Sequence, residues 1–165
     1  MPLADIAKQV SAFGCPLVEI TGGEPLMQQK TPELVRTLLD LGHDVLMETN
    51  GSLDIDLVDR RCVRIVDMKC PSSGESHRNN YHNINRLSPS DQLKFVIMDK
   101  CDYDFAKKII KDTKPPIDLS SVLLSPNAKI LPPAQLAEWM LEDGLSFRLH
   151  LQLHKIIWPE QDRGV

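Results

Sequence analysis

The chain has 165 residues, 42% hydrophobic and only 5% aromatic, enough for one domain with an aliphatic core. Its formal net charge of −4 comes without the clustered Lys and Arg that a nucleic-acid footprint needs, and no apolar run reaches membrane-spanning length. Residues 1–10 lack the basic start and long apolar core of a secretory signal, so the cytoplasm is the expected compartment.

In chain order, Leu3, Ile6, Ala7 and Val10 share one face and predict a helix over 3–13, followed by a strand over 18–21. Thr31 and Pro32 read as N-cap and first position of a second helix that Gly42 ends. A strand over 44–48, a short helix over 53–60, and strands over 63–68 and 92–98 come next. Then follow a helix over 103–111, a strand over 122–124, a helix over 133–142 and a closing strand over 147–157. Strands separated by helices predict parallel units with right-handed crossovers: a single layer of about six strands covered by helices. Cys15, Cys62, Cys70 and Cys101 are scattered, with neither CxxC nor zinc-ribbon spacing, and read as small apolar side chains.

In VEITGGEP (18–25) a strand runs into paired glycines that can take positive φ and offer bare backbone to a ligand. Carboxyl ends of parallel strands share one rim. Thr21 to Glu24, Glu48 to Gly51, Asp67 to Lys69 and Ser125 to Asn127 are therefore expected to converge there. The polar stretch 71–90 reads as a lid, a binding loop or a disordered segment. Its His77 and His82 read as ordinary loop histidines, and Arg78 and Arg86 as partners for a substrate carboxylate or as solvated surface. Period-two alternation over 149–155 puts His150, Gln152 and His154 on one face, toward solvent or toward the site, with Leu149, Leu151 and Leu153 on the other.

TGGEP, ETNGS, DMKCPSSGE, LLSPN and LQLHKIIWP, in this order, resemble the radical S-adenosylmethionine family of 7-carboxy-7-deazaguanine synthases over nearly the whole chain. GGEP alone is shared by many radical enzymes; the combination is far narrower. The resemblance implies one domain over 1–165 built as an incomplete radical-S-adenosylmethionine-type β/α barrel, an α/β fold with helices outside. The family converts 6-carboxy-5,6,7,8-tetrahydropterin to 7-carboxy-7-deazaguanine, a lyase step toward queuosine.

By the resemblance Gly22, Gly23 and Glu24 would line the methionine end of S-adenosylmethionine. Glu48, Asn50, Asp67, Lys69, Ser125, Pro126 and Asn127 would surround its ribose, adenine and carboxylate. Thr21, Gln152, His154 and Lys155 would approach the pterin. The family also holds a four-iron, four-sulfur cluster on three closely spaced cysteines near its amino terminus, followed by a Thr that holds magnesium, and this chain departs from that pattern. It is therefore expected to be an amino-truncated member, inactive alone, with cluster and magnesium only in the complete protein and no metal site of its own. A non-catalytic nucleoside- or pterin-binding module is the alternative. The expected partners are the small-molecule pterin and a second copy of the chain in a homodimer, with no nucleic acid and no membrane.

Overall fold

A computed structural model describes residues 1–158 and 160. β1 (Leu17–Ile20), β2 (Asp44–Thr49), β3 (Val63–Met68), β4 (Gln92–Ile97), β5 (Val122–Pro126) and β6 (Arg148–Leu149) form one sheet in chain order. Every neighbouring pair is parallel. Because each strand pairs with its successor, the sheet winds in one direction, as in a barrel wall and unlike a doubly wound sheet.

Alternation along the strands divides the sheet into two faces. On the outer face Val45, Met47, Val66, Met68, Leu93, Phe95, Ile97, Val122 and Leu124 form one buried cluster with residues from four helices. These helices are α1 (Leu3–Ala12), α2 (Thr31–Asp40), α3 (Lys100–Thr113) and α4 (Pro133–Glu142), which contribute Ala7, Leu38, Ala106 and Leu136 among others. The inner face carries Glu19, Glu48, Gln92, Lys94, Arg148 and His150 with a few aliphatic residues, and remains an open lumen.

The connections into and out of β3 contain no α-helix. The helix expected over 53–60 is a single 3₁₀ turn at Ile55–Leu57. Asn50 and Asp54 use their side-chain oxygens to accept from Ser52 N and Asp56 N, both at 2.9 Å, and such local bonds compete with helix propagation. The 71–90 stretch likewise folds into 3₁₀ turns at Pro71–Ser73, Ser76–Arg78 and Tyr81–Arg86. Where a helix would cover β3, Arg64 lies fully buried instead. Its guanidinium donates to Asp91 Oδ2 at 2.5 and 3.0 Å, to Ile55 O at 3.3 Å and to Arg86 O at 2.9 Å. Asp91 also accepts from Arg64 N at 2.8 Å, Ser88 N at 2.7 Å and Ser88 Oγ at 2.8 Å.

Two helix starts differ from expectation. Thr31 is the first helical residue rather than the cap, because its hydroxyl donates to Pro25 O at 2.6 Å. α3 begins at Lys100, three residues early, because Asp99 caps it by accepting from Asp102 N at 2.9 Å.

The closing strand is the largest correction. Only Arg148–Leu149 pairs as β6, and residues Leu153–Ile157 form a short helix, α5. His150 N still donates to Leu124 O at 2.9 Å, but the next ladder bond would need an N–H from Pro126, which has none. The chain is thus released at Leu151. Among the described residues no helix is long and apolar enough to cross a membrane.

Candidate functional site

The open lumen is a cavity of about 550 Å³. Thr21, Glu48, Gln152 and His154, all singled out in the sequence, line it together with Glu19, Lys94 and His150. The release of the chain after β6 alters how the last segment contributes. Leu151 and Leu153 also face the lumen, so the apolar set is not on the opposite side as alternation implied. His154 reaches the lumen from α5, whereas Lys155 is exposed on that helix and does not line the cavity.

The glycine turn behaves as its composition predicts. Gly22 and Gly23 have φ of 97° and 55°, and a Cβ on either would enter open space, so the backbone there is bare. Glu24 is mostly buried, and its carboxylate is fully engaged by its own chain. Oε1 accepts from Leu26 N at 3.0 Å and Thr49 Oγ1 at 2.8 Å, and Oε2 accepts from Asn50 N at 2.7 Å. Glu24 thereby ties the glycine turn to the end of β2. Gly51 follows at φ 68°, where a Cβ would lie 2.8 Å from Val66 Cγ1, so only glycine fits.

On β3, Asp67 Oδ2 accepts from Lys69 Nζ at 2.6 Å while Asp67 Oδ1 is buried without a partner. Asn79 holds the backbone here: its Oδ1 accepts from Lys69 N at 2.9 Å and its Nδ2 donates to Lys69 O at 2.8 Å. Asp102, buried at the start of α3, accepts from Ser72 N at 3.0 Å and Met98 N at 3.1 Å and fixes the following turn. On β5, Ser125 is fully buried and its Oγ has no partner. Asn127 N donates to Ile97 O at 2.8 Å, and its Oδ1 accepts from Lys129 N at 3.1 Å, so this residue shapes the turn after Pro126.

Lys94 has no counterpart in the sequence-based set. It is 5% exposed, and its Nζ reaches over β3 to donate to Glu48 Oε1 at 2.6 Å. The signal for it was present: Gln92 and Lys94 alternate with Leu93 and Phe95, which marks a polar inner face on a central strand. Burial, then repulsion from Glu48, raises the Glu19 carboxyl above 4.5 against the pull of Lys94. Burial and Lys94 lower the His150 imidazole below 6.5, which favours its neutral form. His150 Nδ1 and Gln152 Oε1 are buried and unpartnered.

The arginines of the 71–90 stretch serve structure. Arg78 pairs with Glu75 at 3.1 Å, and Arg86 with Asp54 and Asp56 at 3.2 and 3.3 Å, away from the lumen lining.

Among the described residues no group of three or more His, Cys, Asp or Glu side chains converges to hold a metal ion, and His77 and His82 join no such group. Cys15, in the connection between α1 and β1, and Cys101, on α3, are exposed, and Cys62 and Cys70 are buried. Burial pushes the Cys62 thiol up to about 12 and raises that of Cys70 as well, the opposite of a ligating thiolate. These residues do not fit a four-iron cluster. They do fit a polar nucleoside ligand at the rim, where Asp67 Oδ1 and Ser125 Oγ lack partners beside bare glycine backbone.

No protein-family model matches the chain. A 7-carboxy-7-deazaguanine synthase of Koribacter versatilis is 42% identical over 164 residues, spanning 90% of this chain and 72% of that protein. Among solved structures, QueE from Escherichia coli superposes with a TM-score of 0.71 at 18% identity, over 92% of this chain and 64% of that one. Streptococcus suis SuiB bound to S-adenosylmethionine gives 0.63 at 14% identity, over 97% of this chain and 44% of that one. The two structures share the fold, a half-barrel of parallel strands with helices outside. The identity to the Koribacter protein over most of both lengths shows that this chain belongs to the 7-carboxy-7-deazaguanine synthase family of radical S-adenosylmethionine proteins.

Proposed function

We propose that the chain is the single domain that carries the S-adenosylmethionine and pterin sites of a 7-carboxy-7-deazaguanine synthase. In complete form this would be a cytoplasmic enzyme that turns 6-carboxy-5,6,7,8-tetrahydropterin into 7-carboxy-7-deazaguanine. When bound, S-adenosylmethionine supplies the radical chemistry; the chain supplies binding and orientation. Gly22 and Gly23 offer backbone to the methionine ammonium, and Glu24 holds that turn against β2. Asp67 and Ser125 take the nucleoside and Asn127 and Pro126 close the turn beside it, with Asn50 and Lys69 bordering the rim. Glu48 meets the ligands from the lumen wall. Thr21, Gln152 and His154 orient the pterin, and Lys155, exposed on α5, would meet it only from outside the lumen lining.

The observation that carries this reading is the set of four buried atoms without partners among the described residues: Asp67 Oδ1, Ser125 Oγ, His150 Nδ1 and Gln152 Oε1. Buried polar atoms are nearly always hydrogen-bonded, and a bound ligand supplies the missing partners. The exposed apolar residues Phe13 and Leu17 beside the unpaired edge of β1 support the further expectation of a homodimer.

Titration calorimetry tests the reading. S-adenosylmethionine should bind, 5′-deoxyadenosine should compete, and Asp67→Asn should weaken binding about tenfold through loss of a charged acceptor. No heat from either ligand would overturn it.

A further inference from the structure

Below the rim, the lumen holds groups to which the reading above gives no role. Glu19 is exposed to the lumen from β1, two residues before Thr21, which follows the end of the strand and lines the same cavity; at about 3.3 Å per residue this sets Glu19 about 7 Å deeper. Among the described residues nothing donates a hydrogen bond to its carboxylate; Glu48 and Lys94 act on it only through their charge. The adjacent Glu48 is already ion-paired with Lys94 at 2.6 Å. Across the lumen, Gln152 Oε1 is a second unmatched acceptor, and His150 Nδ1 can accept or donate according to its tautomer. The lumen thus presents acceptors that the chain itself does not pair, Glu19 open to a ligand and Gln152 Oε1 buried, and their complement is a ring edge rich in N–H donors.

We propose that Glu19 is a specificity-determining residue whose carboxylate accepts the two adjacent N–H donors, amino and ring, of a 2-aminopyrimidin-4-one heterocycle. The inference rests on the pterin reading above. In a pterin, C6 and the 2-amino group lie at opposite ends of the bicycle, so seating the C6 end beside Thr21 directs the amino end down toward Glu19. Two parallel N–H donors against two carboxylate oxygens form a bidentate, charge-assisted pair. A ring that carries oxygen in place of the 2-amino group would set one acceptor against another, and Glu19 would reject it.

The test compares pterin-6-carboxylate with lumazine-6-carboxylate, its 2-oxo counterpart, by calorimetry on the full chain. The wild type should prefer the pterin by about 10- to 100-fold. Glu19→Gln, whose amide can both donate and accept, should shrink that preference at least about tenfold. S-adenosylmethionine affinity should stay unchanged, reporting that the lumen remains folded. Glu19→Asp, which keeps the charge but shortens the reach, should weaken the pterin without improving the lumazine. If the wild type prefers the pterin and Glu19→Gln retains the full preference, this assignment falls while the pterin reading stands. If the wild type binds neither acid, both fall.

Discussion

Two polar regions lie on opposite sides of the sheet, meeting at β3 through Arg64 and Asp67, and they are built in opposite ways. On the outer face, Arg64 and Asp91 are both fully buried, and between them bind Ile55, Arg86 and Ser88 in a network that meets the needs of both charged groups. On the inner face and rim, Asp67, Ser125, His150 and Gln152 each leave a buried atom without a partner. An unmatched buried polar atom costs about 1–3 kcal/mol, and the outer network shows that this chain can avoid that cost. The difference teaches that the outer polar groups replace a missing helix, whereas the inner ones await something the chain does not contain.

The comparison breaks most visibly on the outer face. Asp91→Ala strands the Arg64 charge in the core and should lower unfolding free energy by about 3–5 kcal/mol. Urea denaturation reads this, and replacing Arg64 by Leu in the same protein should recover part of the loss. A drop below about 1 kcal/mol for Asp91→Ala would mean the network is not structural in the way described.

Glu24 stands between the two regions, since it is saturated yet supports the ligand turn. Glu24→Ala removes three hydrogen bonds and should cost about 3 kcal/mol. It should also speed hydrogen exchange at the Leu26 and Asn50 amides by more than the acceleration that the global loss of stability brings to β4.

This division was only partly legible in the sequence. The strand order, the glycine turn and the gathering of strand ends follow from alternation and from parallel topology, both local in origin. Arg64 was passed over because it is a single charge inside an apolar strand, and parity with Asp67 separates an outer from an inner position only once the sheet is known to be half open; Lys94, by contrast, was legible through its alternation with Gln92. Glu24 was read as lining a ligand, since nothing local reveals that Thr49, distant in sequence, would claim its carboxylate. The closing strand was read too long because Pro126 limits it from the neighbouring strand, a constraint that lies in the partner and not in the segment itself. Asn79 and Asp102 act through backbone groups of another loop, which no spacing rule reports.

A smaller effect sharpens the inner side. The folded-state pKa of His150 lies below the ordinary 6.5, so the unfolded chain binds that proton more readily. The stabilisation from a neutral His150 is therefore complete above 6.5 and is lost as pH falls from there through the lower native value. Glu48 opposes this lowering, while Lys94 and Arg148 reinforce it. NMR titration should place the His150 midpoint below 6.5, and His150→Gln should flatten the stability profile just below that pH. A midpoint above 6.5 would mean that Glu48 outweighs burial and Lys94 at the imidazole.

The most direct test of the inner face is Ser125→Ala, measured for stability by urea denaturation and for S-adenosylmethionine affinity by calorimetry on the same preparation. Removing a buried hydroxyl that has no partner should leave stability unchanged or raise it by up to about 1 kcal/mol, while affinity falls about tenfold. A clear loss of stability with unchanged affinity would contradict the account, because Ser125 would then belong with Arg64 and Asp91 as part of the scaffold.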